Sequence, residues 1–184
     1  MKLYFAPRTR AVRARWLLEE LGAPYELARL DLSREDATPS LVDGDVTLRD
    51  SLAICLHLAD RFPERHLAPA PGSPERGAYY HWMVFAETQL DSAVMALLPQ
   101  ATAHLQDGLA TQPRARLTGV LDTLREGLCG RRFLVGERFS AADVVTASLL
   151  HLAHSLKLLD GHPHLVDYTS SHTRRPAVRR AVAE

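Results

Sequence analysis

Between residues 63 and 74 the chain carries Pro63, Pro69, Pro71, Gly72 and Pro74, and the run Ala68-Pro-Ala-Pro-Gly-Ser-Pro74 can be neither helix nor strand. Each proline lacks a backbone N–H and restrains the residue before it, so no hydrogen-bond ladder propagates through the segment. Any hydrophobic core must therefore form separately on its two sides. The 184 residues are enough for this. The expected division is a first domain over 1–64, a linker over 65–75 and a second domain over 76–184.

The first side alternates strand and helix patterns. Lys2–Phe5 reads as a short strand stopped by Ala6-Pro7. Val12, Trp16, Leu17 and Leu21 then follow at helical spacing, and Gly22 stands where a C-cap glycine belongs. Tyr25–Leu30 is a second strand, parallel to the first because a helix intervenes. Asp31–Thr38 is a polar link without periodicity. Ser40–Val42 and Val46–Leu48 form a hairpin around Asp43-Gly44, a strong turn signal. Arg49-Asp50-Ser51 opens a last helix to Phe62, with Ser51 as its expected N-cap.

Beyond the linker the pattern is helical throughout. Tyr79, Trp82, Met83, Phe85, Leu90, Val94 and Leu97 mark a long helix over 77–104, with Pro99 expected to kink or break it. At that spacing the aromatic residues are core more readily than pocket. Leu117, Val120, Leu121, Leu124 and Leu128 give the next helix its stripe. Gly130–Phe139 is a loop, and Ser140-Ala-Ala-Asp143 is a capping box opening an apolar helix to about Leu156. Short helices are expected at His164–His172 and Pro176–Val182.

Composition excludes several functions. Basic and acidic residues number 22 each, so no net field draws the chain to nucleic acid or an anionic membrane. Arg8, Arg10, Arg13 and Arg15 form the densest basic run, read as a solvated helix face. No apolar run reaches the ~18 residues that span a bilayer, and no secretory leader is evident. Cys55 and Cys129 are too few and too distant for a disulfide scaffold, which suggests a reducing, cytoplasmic setting. Cys55, among Ala53, Ile54 and Leu56, reads as a buried small hydrophobe. His151, His154, His162 and His164 lie close in sequence without a cysteine or acidic cluster in ligand spacing, so no metal is expected.

One stretch, Thr38–Phe62, concentrates the chemistry. Two polar side chains, Asp50 and Ser51, meet the free N–H groups of a helix start, a site suited to a small carboxylate-bearing ligand. Asp50 suits an ammonium, while Ser51 and the helix N-terminus suit a carboxylate. Pro39 would face that helix start across a small sheet.

The residues also carry a family resemblance. Lys2-Leu-Tyr-Phe-Ala-Pro7 with Trp16-Leu-Leu-Glu-Glu-Leu-Gly22 resembles the opening of bacterial glutathione transferases. Leu41-Val-Asp-Gly44, Leu48-Arg-Asp-Ser51-Leu-Ala-Ile54 and Leu58-Ala-Asp-Arg-Phe62 resemble their hairpin and the helix after it. Phe139-Ser-Ala-Ala-Asp143 and Arg175-Pro-Ala177 resemble landmarks of their helical domain. The resemblance implies an α/β plus all-α fold: a thioredoxin-like domain that binds glutathione, then an all-helical domain shaping a hydrophobic co-substrate pocket. It implies a homodimer in which the partner completes the glutathione site. It further implies thiolate transfer from glutathione to small hydrophobic electrophiles, a detoxification chemistry with glutathione as co-substrate and no resident cofactor.

Residue by residue, the resemblance makes Pro39 a cis-proline, with Thr38 offering its backbone to the cysteinyl part of glutathione. Asp50 and Ser51 take the γ-glutamyl end. A side chain near the first helix usually holds the thiolate, which is the nucleophile. Ala11 falls at the usual cysteine position and has no polar atom; Thr9 or Arg8 falls at the serine position. Thr9, assisted by the charge of Arg10, is the expected activator, and Tyr4 is read as a core residue. The chain departs from the family at Asp31–Thr38, too short for a usual second helix, whose side chains grip the glycyl end. Most of that helix should be missing, with Arg34 a candidate substitute. The competing expectation is a non-catalytic binding or regulatory protein that keeps the fold but has lost efficient glutathione use.

Overall fold

The computed structural model describes residues 1–33, 37–103 and 111–183. It divides into two compact units, Met1–Pro71 with Arg174–Glu184, and Gly72–Thr173.

In the first unit, β1 (Lys2–Phe5), α1 (Ala11–Leu21), β2 (Glu26–Arg29), β3 (Ser40–Asp43), β4 (Val46–Leu48) and α2 (Ser51–Arg61) follow in order. The strands form one mixed sheet ordered β2-β1-β3-β4. β1 and β2 run parallel with Phe5 opposite Arg29, whereas β3 is antiparallel to both neighbours, with Ser40 opposite Tyr4 and Leu41 opposite Leu48. Helix α1 ends at Gly22, whose φ of 62° suits a residue without Cβ. The β3–β4 hairpin turns on Gly44-Asp45, with Asp43 still paired to Val46 and Gly44 at φ 59°. Leu3, Leu17, Leu18, Leu41, Ile54, Cys55 and Leu58 are wholly buried and make the core. Tyr4 is half-buried on the strand.

Two expectations change here. The basic run of α1 is not one solvated face: Arg8 and Arg10 are exposed, but Arg13 is buried and Arg15 stacks over the Phe5 ring at 4.9 Å. Arg13 falls among the buried Ala14, Trp16, Leu17 and Leu18, and helical geometry turns its stem inward whatever its charge. Among the described residues of the 31–39 link, none is helical.

The chain end also joins this unit rather than the helical one. Helix α8 (Pro176–Val182) lays Ala177 and Ala181 into its packing, and α1 is its neighbour. Arg175 donates two parallel hydrogen bonds to Glu20, at 2.6 Å from Nε to Oε1 and 2.8 Å from Nη2 to Oε2. Arg180 Nε reaches Glu19 Oε2 at 2.7 Å. The Tyr25 hydroxyl donates to the other Glu19 oxygen at 2.7 Å, and the Trp16 indole donates to Glu20 at 2.9 Å. Burial raises the Glu19 carboxyl, but the donors from Tyr25 and Arg180 outweigh it and hold the group below its usual range.

The second unit contains α3 (Pro74–Phe85), α4 (Ser92–Ala103), α5 (Thr111–Leu128), α6 (Ala141–Ser155) and α7 (Pro163–Thr173). A π-helical turn, Ala86–Asp91, joins α3 to α4. The expected break at Pro99 is absent, since the helix continues to Ala103; the departure from α geometry lies one stretch earlier. The last residue of the expected helix, at 104, lies outside the described residues. Tyr79, Trp82 and Met83 are buried core, as their spacing implies. Helix α6 buries most of its residues. Asp143, fully buried at its start, accepts from the N–H groups of Leu134 and Ser140 at 3.0 and 2.9 Å, and from the Tyr168 hydroxyl at 2.8 Å. Burial pushes Asp143 upward against these donors, and burial with the adjacent carboxylate drives the Tyr168 phenol well above its ordinary value.

Candidate functional site

The sheet register gathers the predicted site at one end of the first unit. Opposition of Ser40 to Tyr4 and of Leu41 to Leu48 sets Thr38-Pro39 beside the exit of β1 and the exit of β4 beside the entry of β3. Opposition of Phe5 to Arg29 sets the exit of β2 on the other side of β1. Four segments therefore line one sheet end in spatial order: 49–51, 38–39, 6–9 and 30–33. Thr9, Arg10, Thr38, Pro39, Asp50 and Ser51 all belong to this row or continue it into α1. A linear sequence reading could name them but not order them.

At the start of α2 the roles differ from those expected. The N-cap is Asp50, in extended backbone, and its Oδ1 accepts from Leu52 N–H at 2.8 Å and Ala53 N–H at 2.9 Å. Ser51 is instead the first helical residue. Aspartate and serine cap about equally well, so the identity of the cap was decided by register, and Asp50 occupies it. Two of the orphan donors of the first turn are thereby satisfied. Ser51 is 3% exposed, and its hydroxyl has no hydrogen-bond partner among the described residues. A buried hydroxyl without a partner costs about 1–3 kcal/mol. Here it sits beside the positive end of a helix and an exposed carboxylate with one oxygen left over. That arrangement matches a zwitterionic amino-acid group: carboxylate to Ser51, ammonium to Asp50.

At the start of α1, Thr9 is half-buried and its hydroxyl is engaged locally. It donates to the Ala6 carbonyl at 2.7 Å and accepts from the Ala11 N–H at 3.2 Å. Arg10 is the N-cap residue by position, exposed and without a capping side-chain bond. Arg8, in left-handed backbone at φ 60°, is exposed. Ala11 is buried. Thr38 is exposed and Pro39 half-buried. The Thr38–Pro39 bond is trans, because no cis peptide occurs among the described residues. The expected cis-proline is thus corrected: trans is the X-Pro default by about 0.5–1 kcal/mol, and β3 reaches its register from it. Arg34 lies outside the described residues.

Sequence reasoning missed a brace behind the site. Asp43, closing β3, takes the His57 ring Nε2 at 2.9 Å and the Arg61 guanidinium at 3.6 Å, tying the hairpin to α2. The His57 hydrogen bond holds the Asp43 carboxyl below its usual range. Asp43 was visible only as a turn residue, and nothing in linear spacing pairs it with His57. Among the described residues no three His, Cys, Asp or Glu side chains group to hold a metal ion.

A thioredoxin-like sheet and helices, carrying a capped helix start at one sheet end, and an all-helical unit together make a two-domain architecture. Residues 3–66 match the glutathione S-transferase N-terminal domain model and residues 87–176 match the C-terminal domain model. The chain belongs to the glutathione S-transferase family. It is 25% identical over 199 residues to glutathione S-transferase GstA of Escherichia coli O157:H7, covering 100% of this chain and 98% of the relative. It is 28% identical over 207 residues to glutathione S-transferase Z2 of Arabidopsis thaliana, covering 100% and 91%. A sphingomonad glutathione S-transferase solved as a complex with glutathione superposes with a TM-score of 0.80 at 26% identity, covering 99% and 97% of the two chains.

Proposed function

We propose that this protein binds glutathione along the sheet end and transfers its thiolate to small hydrophobic electrophiles. The observation that carries the reading is the buried Ser51 hydroxyl, without a hydrogen-bond partner among the described residues, next to the Asp50 cap. It is a receptor for one end of an amino-acid ligand, set in the same row as Thr38 and Thr9. The γ-glutamyl carboxylate takes the Ser51 hydroxyl, its ammonium takes Asp50, the cysteinyl backbone lies against Thr38 and Pro39, and the sulfur points to the start of α1. The thiol proton passes to solvent and the thiolate forms a C–S bond; in a substitution the electrophile's leaving group departs with its electron pair, and in an addition the broken π bond's electron pair moves onto the acceptor, which takes up a proton from solvent.

Thr9 is the proposed thiolate donor, with the Arg10 charge assisting. To serve, its hydroxyl must turn from the Ala6 carbonyl to the sulfur, exchanging one hydrogen bond for a charge-assisted one that is about twice as strong. The Ala11 N–H continues to hold the oxygen in place. Relatives with glutathione bound support the ligand, and exposed Tyr80 and Val84 on α3 supply apolar surface for a homodimer. A cytoplasmic detoxification role accords with a free, exposed Cys129. No described helix is long and apolar enough to cross a membrane. Nothing in the comparisons supports the non-catalytic alternative.

Two measurements test the reading. Thermal melting with about 10 mM glutathione should shift upward; at one hundred times the dissociation constant the gain is about 2.7 kcal/mol. Turnover of a generic aryl halide should accompany it. A shift without turnover would leave a binding module, and no shift would remove glutathione. Thr9→Ser should retain turnover and Thr9→Ala should lose at least tenfold in kcat/KM; unchanged Thr9→Ala turnover removes Thr9 from the mechanism.

A further inference from the structure

We propose that Arg15 is a positioning residue for the thiol step: its guanidinium, stacked on Phe5 and braced by Tyr25, sets where the Thr9 hydroxyl stands. The inference rests on the glutathione reading above and goes beyond it. The Thr9 oxygen bridges the gap between β1 and α1, from the Ala6 carbonyl at 2.7 Å to the Ala11 N–H at 3.2 Å. The width of that gap decides whether the hydroxyl can swing to a sulfur while its oxygen keeps the Ala11 N–H. Ala6 follows Phe5, the last residue of β1, so Phe5 fixes one wall of the gap. Arg15 lies four residues beyond Ala11 on the same face of α1, the other wall. Its guanidinium over the Phe5 ring, at 4.9 Å, staples the two walls together. The Phe5 carbonyl also takes the Leu30 N–H at 2.8 Å, which holds it within the sheet but not against α1.

The staple is itself braced from behind. Arg15 Nε donates to the Tyr25 hydroxyl at 3.3 Å, and that hydroxyl donates to Glu19 Oε1 at 2.7 Å. Arg180 of α8 takes the other Glu19 oxygen at 2.7 Å and the Glu19 carbonyl at 3.0 Å. Every member of this chain belongs to the first unit. A guanidinium can stack through its face and donate in its plane at the same time, which an ammonium cannot. The shape of Arg15, rather than its charge, therefore carries the role. Arg175 with Glu20 provides an internal contrast. It also ties α8 to α1, but Glu20 takes the Trp16 indole N–H where Glu19 takes the Tyr25 hydroxyl.

The test compares the full-chain wild type with Arg15→Lys, Tyr25→Phe and Arg175→Ala. It reads kcat/KM for a generic aryl halide, and titrates the bound glutathione thiolate against pH by its ultraviolet absorbance. Arg15→Lys keeps the charge and Tyr25→Phe keeps the ring, so both should fold. Each should lose about tenfold in kcat/KM and ionise the bound thiol only at higher pH, with the glutathione KM within about twofold of wild type. The double variant should lose little more than either single one, because both break the same staple. Arg175→Ala should be less stable yet keep the wild-type turnover and thiol titration. Wild-type turnover and titration in Arg15→Lys and Tyr25→Phe overturn the inference and spare the glutathione reading. An equal shift in Arg175→Ala overturns it as well, since general loosening of α8 would then suffice. A wild type without turnover overturns both.

Discussion

Asp50 and Ser51, neighbours in sequence, divide the start of α2 between them: Asp50 Oδ1 takes the N–H groups of Leu52 and Ala53, and Ser51 buries a hydroxyl that meets no partner among the described residues. One residue stabilises the helix, and the other is the one proposed above to take the ligand's carboxylate. The two roles separate experimentally. Asp50→Ala should lower stability by about 1 kcal/mol through the lost cap. Ser51→Ala should leave the unliganded protein as stable or slightly more so, because an unsatisfied buried group is removed. The glutathione-induced melting shift should nevertheless disappear in Ser51→Ala. Equal loss of unliganded stability in both variants would show that Ser51 is a structural cap.

The Asp43–His57 brace predicts a pH dependence. A carboxyl depressed in the folded state contributes stability above its unfolded pKa of about 3.9, and this is lost as pH falls through the lower folded value. Asp43→Asn should therefore cost more at pH 7 than at pH 3. For a pair near the surface the difference should be about 0.5–1 kcal/mol after screening. Urea denaturation at the two pH values reads it; equal losses would mean that the carboxylate charge does no stabilising work.

Gly127, inside α5, stands against the Trp82 ring, where an added Cβ would overlap the ring carbons. Helix propensity alone favours Gly127→Ala by about 1 kcal/mol. Overpacking a tightly held indole costs about 1–3 kcal/mol. The net outcome should be destabilisation, seen as a lower melting temperature with altered Trp82 fluorescence. A more stable variant would show that Trp82 moves aside freely.

The Arg175–Glu20 pair ties the chain end to α1 across most of the sequence. The Glu20 side chain is 10% exposed and that of Arg175 33%, so the pair lies between surface and buried limits. Arg175→Ala should cost about 1–3 kcal/mol by chemical denaturation. Truncation after residue 173 should cost more, because Ala177 and Ala181 leave the core of the first unit with it. Unchanged stability on truncation would detach α8 from that unit.

Much of this architecture is local and was therefore legible along the chain. The prolines between 63 and 74, Gly22 and Gly44 at positive φ, the strand alternation and the helical stripes are each dictated by neighbours within a few residues. The Asp50-Ser51 helix start was visible for the same reason. The sequence by itself thus determined the element order, the division into a mixed α/β part and a helical part, and the candidate ligand end. Tertiary structure decided what depends on register and long-range packing. It made Asp50 rather than Ser51 the cap, buried Arg13 among leucines, kept Thr38–Pro39 trans and returned α8 to the first unit. Each of these follows from which strand or helix lies alongside, and a partner distant in sequence leaves no local periodicity to read.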